Sequence, residues 1–144
     1  MTQALEKAEE AYEAGEVPVG AVLVESSGRS FADRNRTSET RLPTAHAEHL
    51  VITAAARDRG DWRLSDCSLY TTLEPCLMCA GLAVLARIPR IVYGARDKRF
   101  GAFGSVTDVL EMKELNHYPE VFGGCFEEEA ARLMKDFFRE KGNR

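Results

Sequence analysis

The amino-acid sequence predicts an α/β fold, a three-layer α/β/α sandwich in which helices cover both faces of a central mixed sheet of about five strands. Apolar, β-branched runs alternate along the chain with segments of helical period. Of the 144 residues, 44% are hydrophobic and 29% are charged, so the chain can bury a substantial core. No repeat, low-complexity tract or linker interrupts it, and residues 1–144 are therefore predicted to form one domain.

The first elements are predicted to be a helix and a β-hairpin. Residues 3–14 place apolar side chains on one face and glutamates around the rest, which predicts an amphipathic helix that Gly15 can end. Residues 17–24 form the apolar run of a buried strand. A turn at 26–29 then returns the chain into a second strand at 30–34, which completes the hairpin.

Helix and strand alternate in the middle of the chain. The second helix is predicted to run from Thr44, as its N-cap, to Gly60. Residues 67–73 are apolar and β-branched enough for a central strand. A third helix is predicted from Pro75 to about Arg87, since proline is favoured in the first turn, where its missing N–H would have had no partner.

The last third of the chain adds two short elements between a strand and a helix. A strand is predicted at 91–93, a short helix at 106–112 and an extended segment at 120–122. Apolar residues at i, i+3, i+4, i+7 and i+8 between Ala130 and Phe138 predict the last helix.

Composition bears on location and partners. No apolar run reaches the ~18–20 residues of a membrane span, and the N-terminus lacks the pattern of a signal peptide, which predicts a cytoplasmic protein with no membrane partner. The net charge of −4 argues mildly against a nucleic-acid partner. Basic residues are clustered, however, and a basic rim beside the functional site is predicted. Its members are Arg87, Arg90, Arg96, Lys98 and Arg99, with Arg139, Lys141 and Arg144 near the C-terminus.

Two short segments carry most of the functional information. Cys76 and Cys79 lie three apart in the predicted first turn of a helix, where free N–H groups and the helix dipole favour metal-binding thiolates. His46 also lies at a predicted helix start and is the third candidate ligand. Three protein ligands with a fourth position open to water are typical of catalytic zinc. Glu48 is placed to move protons, provided that His46 lies in a frayed first turn, because regular helical geometry would separate the two side chains.

Each of these residues has a simpler explanation when it is taken alone. A histidine or glutamate near a helix start often caps the helix or complements its dipole, and a C-x-x-C pair can be a redox pair. The redox interpretation leaves His46 and Glu48 unexplained, whereas a zinc site uses both. Cys67 and Cys125 are interpreted as core residues with inert thiols.

The H-x-E motif at 46–48 and the P-C-x-x-C motif at 75–79 resemble those of the zinc-dependent cytidine/deoxycytidylate deaminase-like superfamily. Matching residues from 15–21 to 137–139 extend the resemblance to bacterial tRNA-specific adenosine deaminases. The resemblance implies the cytidine deaminase-like form of the three-layer fold. It also implies hydrolytic deamination of adenosine to inosine at the wobble position of a tRNA, usually an arginine tRNA, by a homodimer that binds the anticodon stem-loop.

The same resemblance implies roles for individual residues. His46, Cys76 and Cys79 would hold one Zn²⁺ per subunit, with water or hydroxide as the fourth ligand. Glu48 would move protons between that water, ring N1 and the departing amine. The implied substrate-binding residues are Asn35 at the base and Asp97 near the ribose, with the backbone of Ala47 and the side chains at 17–19 and 73–75 as the walls of the pocket.

The sequence departs from the family pattern in one loop and at one helical position. Phe100 and Phe103 make the loop after Asp97 bulkier than usual, and they are predicted to stack on splayed bases or to pack against a partner subunit. His49 stands where an apolar residue is expected and is interpreted as a residue near the site, not as a fourth ligand.

Two alternatives remain open at this point. A deaminase of a free base or nucleoside, of guanine or cytosine type, would use the same metal ligands and the same glutamate. A zinc-stabilised binding module without catalysis would need the ligands but not Glu48.

Overall fold

A computed structural model describes residues 1–142 of the chain. Strands and helices alternate as the sequence predicts. The strands are β1 (Gly20–Val24), β2 (Ser30–Arg34), β3 (Ser68–Leu73), β4 (Arg90–Ala95) and β5 (Glu120–Phe122). The helices are α1 (Thr2–Glu13), α2 (Thr37–Thr40), α3 (Ala47–Arg59), α4 (Leu77–Leu85) and α5 (Glu127–Gly142), with one 3₁₀ turn at Val109–Glu111.

The five strands form one mixed sheet in the order β2-β1-β3-β4-β5. β1 is antiparallel to both β2 and β3, whereas β3 and β4, and β4 and β5, are parallel pairs. Leu73 lies opposite Ala95, so the carboxyl ends of β3 and β4 meet at one edge of the sheet. Loops that leave this edge can therefore carry side chains to a common site.

Helices cover both faces of the sheet, which confirms the predicted three-layer architecture. On one face α1 packs against β1 and β2, and α5 packs against β3 and β4. The rings of Tyr12 and Phe137 meet edge to face, 5.9 Å apart, where α1 contacts α5. On the other face α3 and α4 pack together over the sheet, where Leu23, Leu69 and Ile91 belong to the main hydrophobic core.

Local chemistry explains where the elements differ from the predicted bounds. β1 begins at Gly20 and not at residue 17, because Pro18 has no N–H and the Val19 N–H donates to the Val17 carbonyl instead of to the sheet. α3 has His46 as its N-cap, so Thr44 lies outside the helix. α4 begins at Leu77 with Cys76 as N-cap, which places Pro75 before the helix.

One further prediction is corrected in the second half of the chain, and the predicted last helix is confirmed. The helix predicted at 106–112 is only the 3₁₀ turn at Val109–Glu111, which the Asp108 carboxylate caps by accepting from the Leu110 N–H. The last helix is longer than its apolar stripe and spans Glu127–Gly142. None of the helices in the described part of the chain combines the length and the apolar character that a bilayer crossing requires.

Gly20 fixes how closely α1 approaches the sheet. A Cβ at this position would overlap the Ala4 carbonyl oxygen and lie 2.6 Å from the Ala8 nitrogen of α1. We expect Gly20→Ala to lower the free energy of unfolding by about 1–3 kcal/mol, measured by urea denaturation, because backbone atoms must move apart. Gly81→Ala is the matched control. Its Cβ would meet open space within α4, so a gain of about 0.5–1 kcal/mol is expected. Wild-type stability of Gly20→Ala would contradict the packing argument.

Candidate metal centre and active site

The N-termini of α3 and α4 meet at the edge where β3 and β4 end. His46 and Cys76 occupy the N-cap positions of these helices in extended conformation, and Cys79 lies in the first turn of α4. His46 Nδ1 lies 3.5 Å from Cys76 Sγ and 3.6 Å from Cys79 Sγ. The three candidate ligand atoms all lie within 4.8 Å of one another, so one metal ion can contact all of them.

The local electrostatics favour a thiolate at Cys76 and a thiol at Cys79. The pKa of Cys76 is lowered to about 4, first by a hydrogen bond from the Cys79 thiol and also by bonds from His46 and from the Cys79 backbone N–H. The pKa of Cys79 is raised, because its thiol donates to Cys76 and is buried. The two sulfurs thus share a proton, which a metal ion bound to both thiolates would displace. Hydrogen bonding to Cys76 raises the pKa of His46.

Glu48 lies beside the sulfurs in the first turn of α3. Its side chain is 4% exposed, and its Oε2 lies 3.9 Å from Cys79 Sγ. His46 and Glu48 face the same space because His46 lies outside the helix, with φ −74° and ψ 149°. The sequence analysis required His46 to leave the regular helical geometry so that it could face the same space as Glu48. It does so because His46 itself, and not Thr44, is the N-cap of α3. Burial raises the pKa of the Glu48 carboxyl.

The cluster lies at one wall of a cavity of about 330 Å³. Four of the five substrate-binding residues inferred from the sequence line this cavity: Asn35, Ala47, Asp97 and Phe100. The predicted walls contribute Val17, Val19, Leu73 and Glu74. Phe100 is 67% exposed at the cavity, so its ring is accessible to a ligand.

Phe103 is placed differently from the prediction. Its side chain belongs to the main hydrophobic core, and its backbone N–H donates to the buried Glu74 carboxylate, 3.2 Å away. A ring held in the core is not available to stack on a base, so we correct the assignment of Phe103 as a substrate-binding residue. Phe138 of α5 is the second phenylalanine that lines the cavity.

The predicted basic rim is only partly present. Arg99 lines the cavity, but Arg96 lines a separate polar cavity with Tyr93 and Glu127. Arg87 follows the far end of α4, with its guanidinium 5.4 Å from the centre of the Trp62 ring. Arg90 begins β4, at the strand end opposite the site. Arg144, also assigned to the rim, lies outside the described residues. Charge therefore adds little support for a nucleic-acid partner.

Other residues at the site carry no local sequence signal. Met134 and Phe138 line the cavity from α5, where their helical spacing indicates only a buried stripe. Thr37 reaches it from α2, a helix of four residues that the sequence analysis missed. His49 is half-buried, and its backbone N–H donates to Cys79. Its imidazole is not part of the metal-ligand cluster found among residues 1–142.

Sequence and structure comparisons connect this site with known deaminases. The family model of the MafB19-like deaminases matches residues 1–141. Over 141 residues the chain is 45% identical to the tRNA-specific adenosine deaminase of Bacillus subtilis, an alignment that covers 97% of this chain and 87% of that protein.

Two solved structures share the fold. One, from a study of A-to-I editing by tRNA:A34 deaminases at the wobble position of transfer RNA, aligns with a TM-score of 0.88 and 44% identity. That alignment covers 92% of this chain and 96% of the other. A guanine deaminase from Nitrosomonas europaea aligns with a TM-score of 0.80 and 26% identity, over 94% of this chain and 81% of the other. The chain therefore belongs to the MafB19-like deaminase family, together with the tRNA-specific adenosine deaminases.

Proposed function

We propose that the protein is a zinc-dependent deaminase that converts adenosine to inosine at the wobble position of a tRNA. The observation that carries this proposal is the 45% identity, over 97% of the chain, to a relative named for this activity. A homodimer acting in the cytoplasm belongs to the same proposal. Leu77, Met78 and Leu85 of α4 are exposed apolar side chains that a second subunit could cover.

The donor set and its spacing suit zinc. One imidazole nitrogen and two thiolate sulfurs are ligands that Zn²⁺ prefers. Tetrahedral coordination with Zn–S near 2.3 Å and Zn–N near 2.0–2.1 Å separates N and S by about 3.5–3.6 Å. The two N···S distances in the cluster are 3.5 and 3.6 Å. His46, Cys76 and Cys79 would therefore hold the ion as three protein ligands, the number found in catalytic zinc sites.

Bound zinc would supply Lewis acidity, which lowers the pKa of water and makes a nucleophile available at neutral pH. Glu48 would take up the proton that this activation releases and deliver it to N1 of the adenine ring. As the water oxygen bonds to C6 of adenine, the same carboxyl would pass the second proton of that oxygen to the amino group, which leaves as ammonia when the C6–N bond breaks. A raised pKa suits this role, because the group must both accept and return a proton near neutral pH.

The loops around the cavity would orient the nucleoside. Asn35 and the backbone N–H of Ala47, the first residue of α3, would contact the base. Asp97 uses Oδ1 to accept from the backbone N–H groups of Arg99 and Phe100, which leaves Oδ2 for a ribose hydroxyl. Phe100, exposed at the cavity mouth, would stack on a neighbouring base.

A free-purine deaminase is the second candidate, and the structural similarity to a guanine deaminase favours it. The metal cluster and Glu48 would do the same chemistry on either substrate. The two functions differ in the size of the ligand. Phe100 and Arg99 line the cavity, and nucleotides next to the target base of an RNA would contact them, whereas a free base has no neighbouring nucleotides.

An assay with both substrates tests the proposal. We expect the purified protein to convert the wobble adenosine of an anticodon stem-loop to inosine, detected by mass spectrometry of the digested RNA. A stem-loop that carries guanosine at the wobble position and keeps its other adenosines is the control and should yield no inosine. Turnover of free guanine without activity on the stem-loop would reverse the assignment.

A further inference from the structure

Three buried glutamates, Glu16, Glu48 and Glu74, are found in the described part of the chain, and the proposed mechanism uses only Glu48. Glu74 accepts hydrogen bonds from the loop at 103–105. Glu16 is 2% exposed and lies far in sequence from the proposed metal ligands. Burying a carboxylate is costly unless hydrogen bonds replace its water, so the surroundings of Glu16 indicate what its burial achieves.

The end of α1 directs Glu16 into the protein. Gly15 adopts φ 76°, and its N–H donates to the Tyr12 carbonyl while the Glu16 N–H donates to the Ala11 carbonyl. These two bonds form a Schellman motif, which fixes the direction in which the chain leaves a helix. The backbone of Glu16 is therefore held rigidly, and its side chain reaches the segment that follows β2.

The carboxylate accepts four hydrogen bonds there, all from neutral donors. Oε1 accepts from the Glu39 backbone N–H at 2.6 Å, and Oε2 accepts from the Ser38 N–H at 3.2 Å. The Thr37 hydroxyl donates to Oε2 at 3.4 Å, and Asn35 Nδ2 donates to it at 3.2 Å. Glu16 thus satisfies the first N–H groups of α2, whose own N-cap residue makes no side-chain cap.

Asn35 is held by the same arrangement. Its Nδ2 donates to Glu16 Oε2 and to Thr37 Oγ1, both at 3.2 Å, while the Thr37 hydroxyl also bonds to the carboxylate. Oε2 of Glu16 already accepts from the Ser38 N–H and the Thr37 hydroxyl, so the amide nitrogen of Asn35, and not its oxygen, must face Glu16. Both Asn35 and Thr37 line the cavity, so the carboxylate sets the conformation of the cavity wall without lining it.

We propose that Glu16 is a positioning residue, which fixes the orientation of the Asn35 amide and the start of α2 so that Asn35 meets the substrate base in one geometry. This inference rests on the proposed function, in which Asn35 contacts the base. The structural part, the orientation of Asn35 by Glu16, does not depend on the substrate and can be tested separately.

NMR spectroscopy tests the structural part. The chain has three asparagines and one glutamine, so a ¹⁵N-labelled sample gives few carboxamide signals, and Asn35→Ala identifies the Asn35 pair. In the zinc-loaded protein without substrate, we expect Glu16→Gln to shift this pair and to speed its exchange with water, because a donor replaces one acceptor. Glu13→Gln, at an exposed position in α1, is the matched control and should leave the pair unchanged. An unshifted Asn35 pair in Glu16→Gln would overturn the proposal.

A double-mutant cycle tests the functional part on the stem-loop RNA. We expect Glu16→Gln to lower kcat/KM by about 10-fold or more, because small displacements of positioning groups are costly. The double variant with Asn35→Ala should match Asn35→Ala alone within about twofold, since Glu16 acts through that residue. A role confined to stability would instead multiply the two losses, and that result would overturn the proposal.

A second variant and the activity of the wild-type protein separate failure of this proposal from failure to fold and from failure of the proposed function. If Glu16→Gln does not fold, Glu16→Asp replaces it, since aspartate keeps the carboxyl group but withdraws it by one methylene. We expect Glu16→Asp to shift the Asn35 carboxamide pair and to give the same result in the double-mutant cycle with Asn35→Ala. Wild-type protein that is inactive on the RNA would contradict the proposed function, whereas the NMR result decides the orientation of Asn35 in either case.

Discussion

Replacing Glu48 with alanine is expected to leave a folded, zinc-loaded protein whose turnover falls by at least about 100-fold, because a positioned acid–base group is lost. The two proposed roles belong to different side chains. His46, Cys76 and Cys79 form the candidate ligand cluster, while the Glu48 carboxyl lies beside it, 3.9 Å from Cys79 Sγ. Single-turnover rates on the stem-loop RNA and zinc content, measured on the same preparation, check this result.

His49→Ala is the matched control for Glu48→Ala. It lies in the same turn of α3, but only its backbone N–H contacts Cys79, so the variant should keep its zinc and its rate. Loss of zinc from Glu48→Ala would make Glu48 a ligand or a structural support. Undiminished function in a zinc-loaded Glu48→Ala would favour a zinc-stabilised binding module over an enzyme.

Removing a metal ligand is expected to have an even larger effect. In Cys76→Ala the cluster keeps one imidazole and one thiol, too few to hold zinc tightly, so activity should fall below detection. The melting temperature should fall as well, because metal that binds only the folded state stabilises it. Elemental analysis and calorimetry measure the two effects, and a chelator added to the wild-type protein should reproduce both.

Cys125→Ala provides the comparison for Cys76→Ala. Cys125 is a partly buried free cysteine outside the ligand cluster, so its replacement should keep zinc and activity. If Cys76→Ala retained a full complement of zinc, the proposed ligand set would be wrong. Equal zinc loss in both variants would show that the effect comes from general destabilisation.

Prediction from sequence succeeds where the signal is local. β2 matches the strand predicted at 30–34, because the turn at 26–29 fixes where the hairpin returns, and β5 matches the extended segment predicted at 120–122. The sequence analysis missed α2 because its first N–H groups donate to Glu16, some twenty residues earlier, and no neighbouring side chain caps the helix. Its four residues are also too few for a periodic pattern.

The candidate site shows the same division. The metal cluster follows from residue types and spacing, and the structure brings the three ligand atoms together. The two phenylalanines of one loop, however, have different environments. Phe103 is buried, and its backbone N–H donates to the buried Glu74 carboxylate, whereas Phe100 is exposed. The clustering of basic residues in the sequence predicted a basic rim that is only partly present. Arg90 and Arg99 are near in sequence, but they lie at opposite ends of β4. Sequence proximity does not reveal which end of a strand a residue occupies.

The proposed ligands lie on two separate parts of the chain, which has a consequence for how the protein would acquire a metal ion. β3, α4 and β4 follow one another and form a parallel unit, so Cys76 and Cys79 come together as soon as that unit forms. His46 lies at the start of α3, which packs mainly on β1 and β2 and must first dock there through contacts distant in sequence. Tight metal binding would thus be a property of the completed fold, and the rate of metal capture during refolding would report the docking of α3.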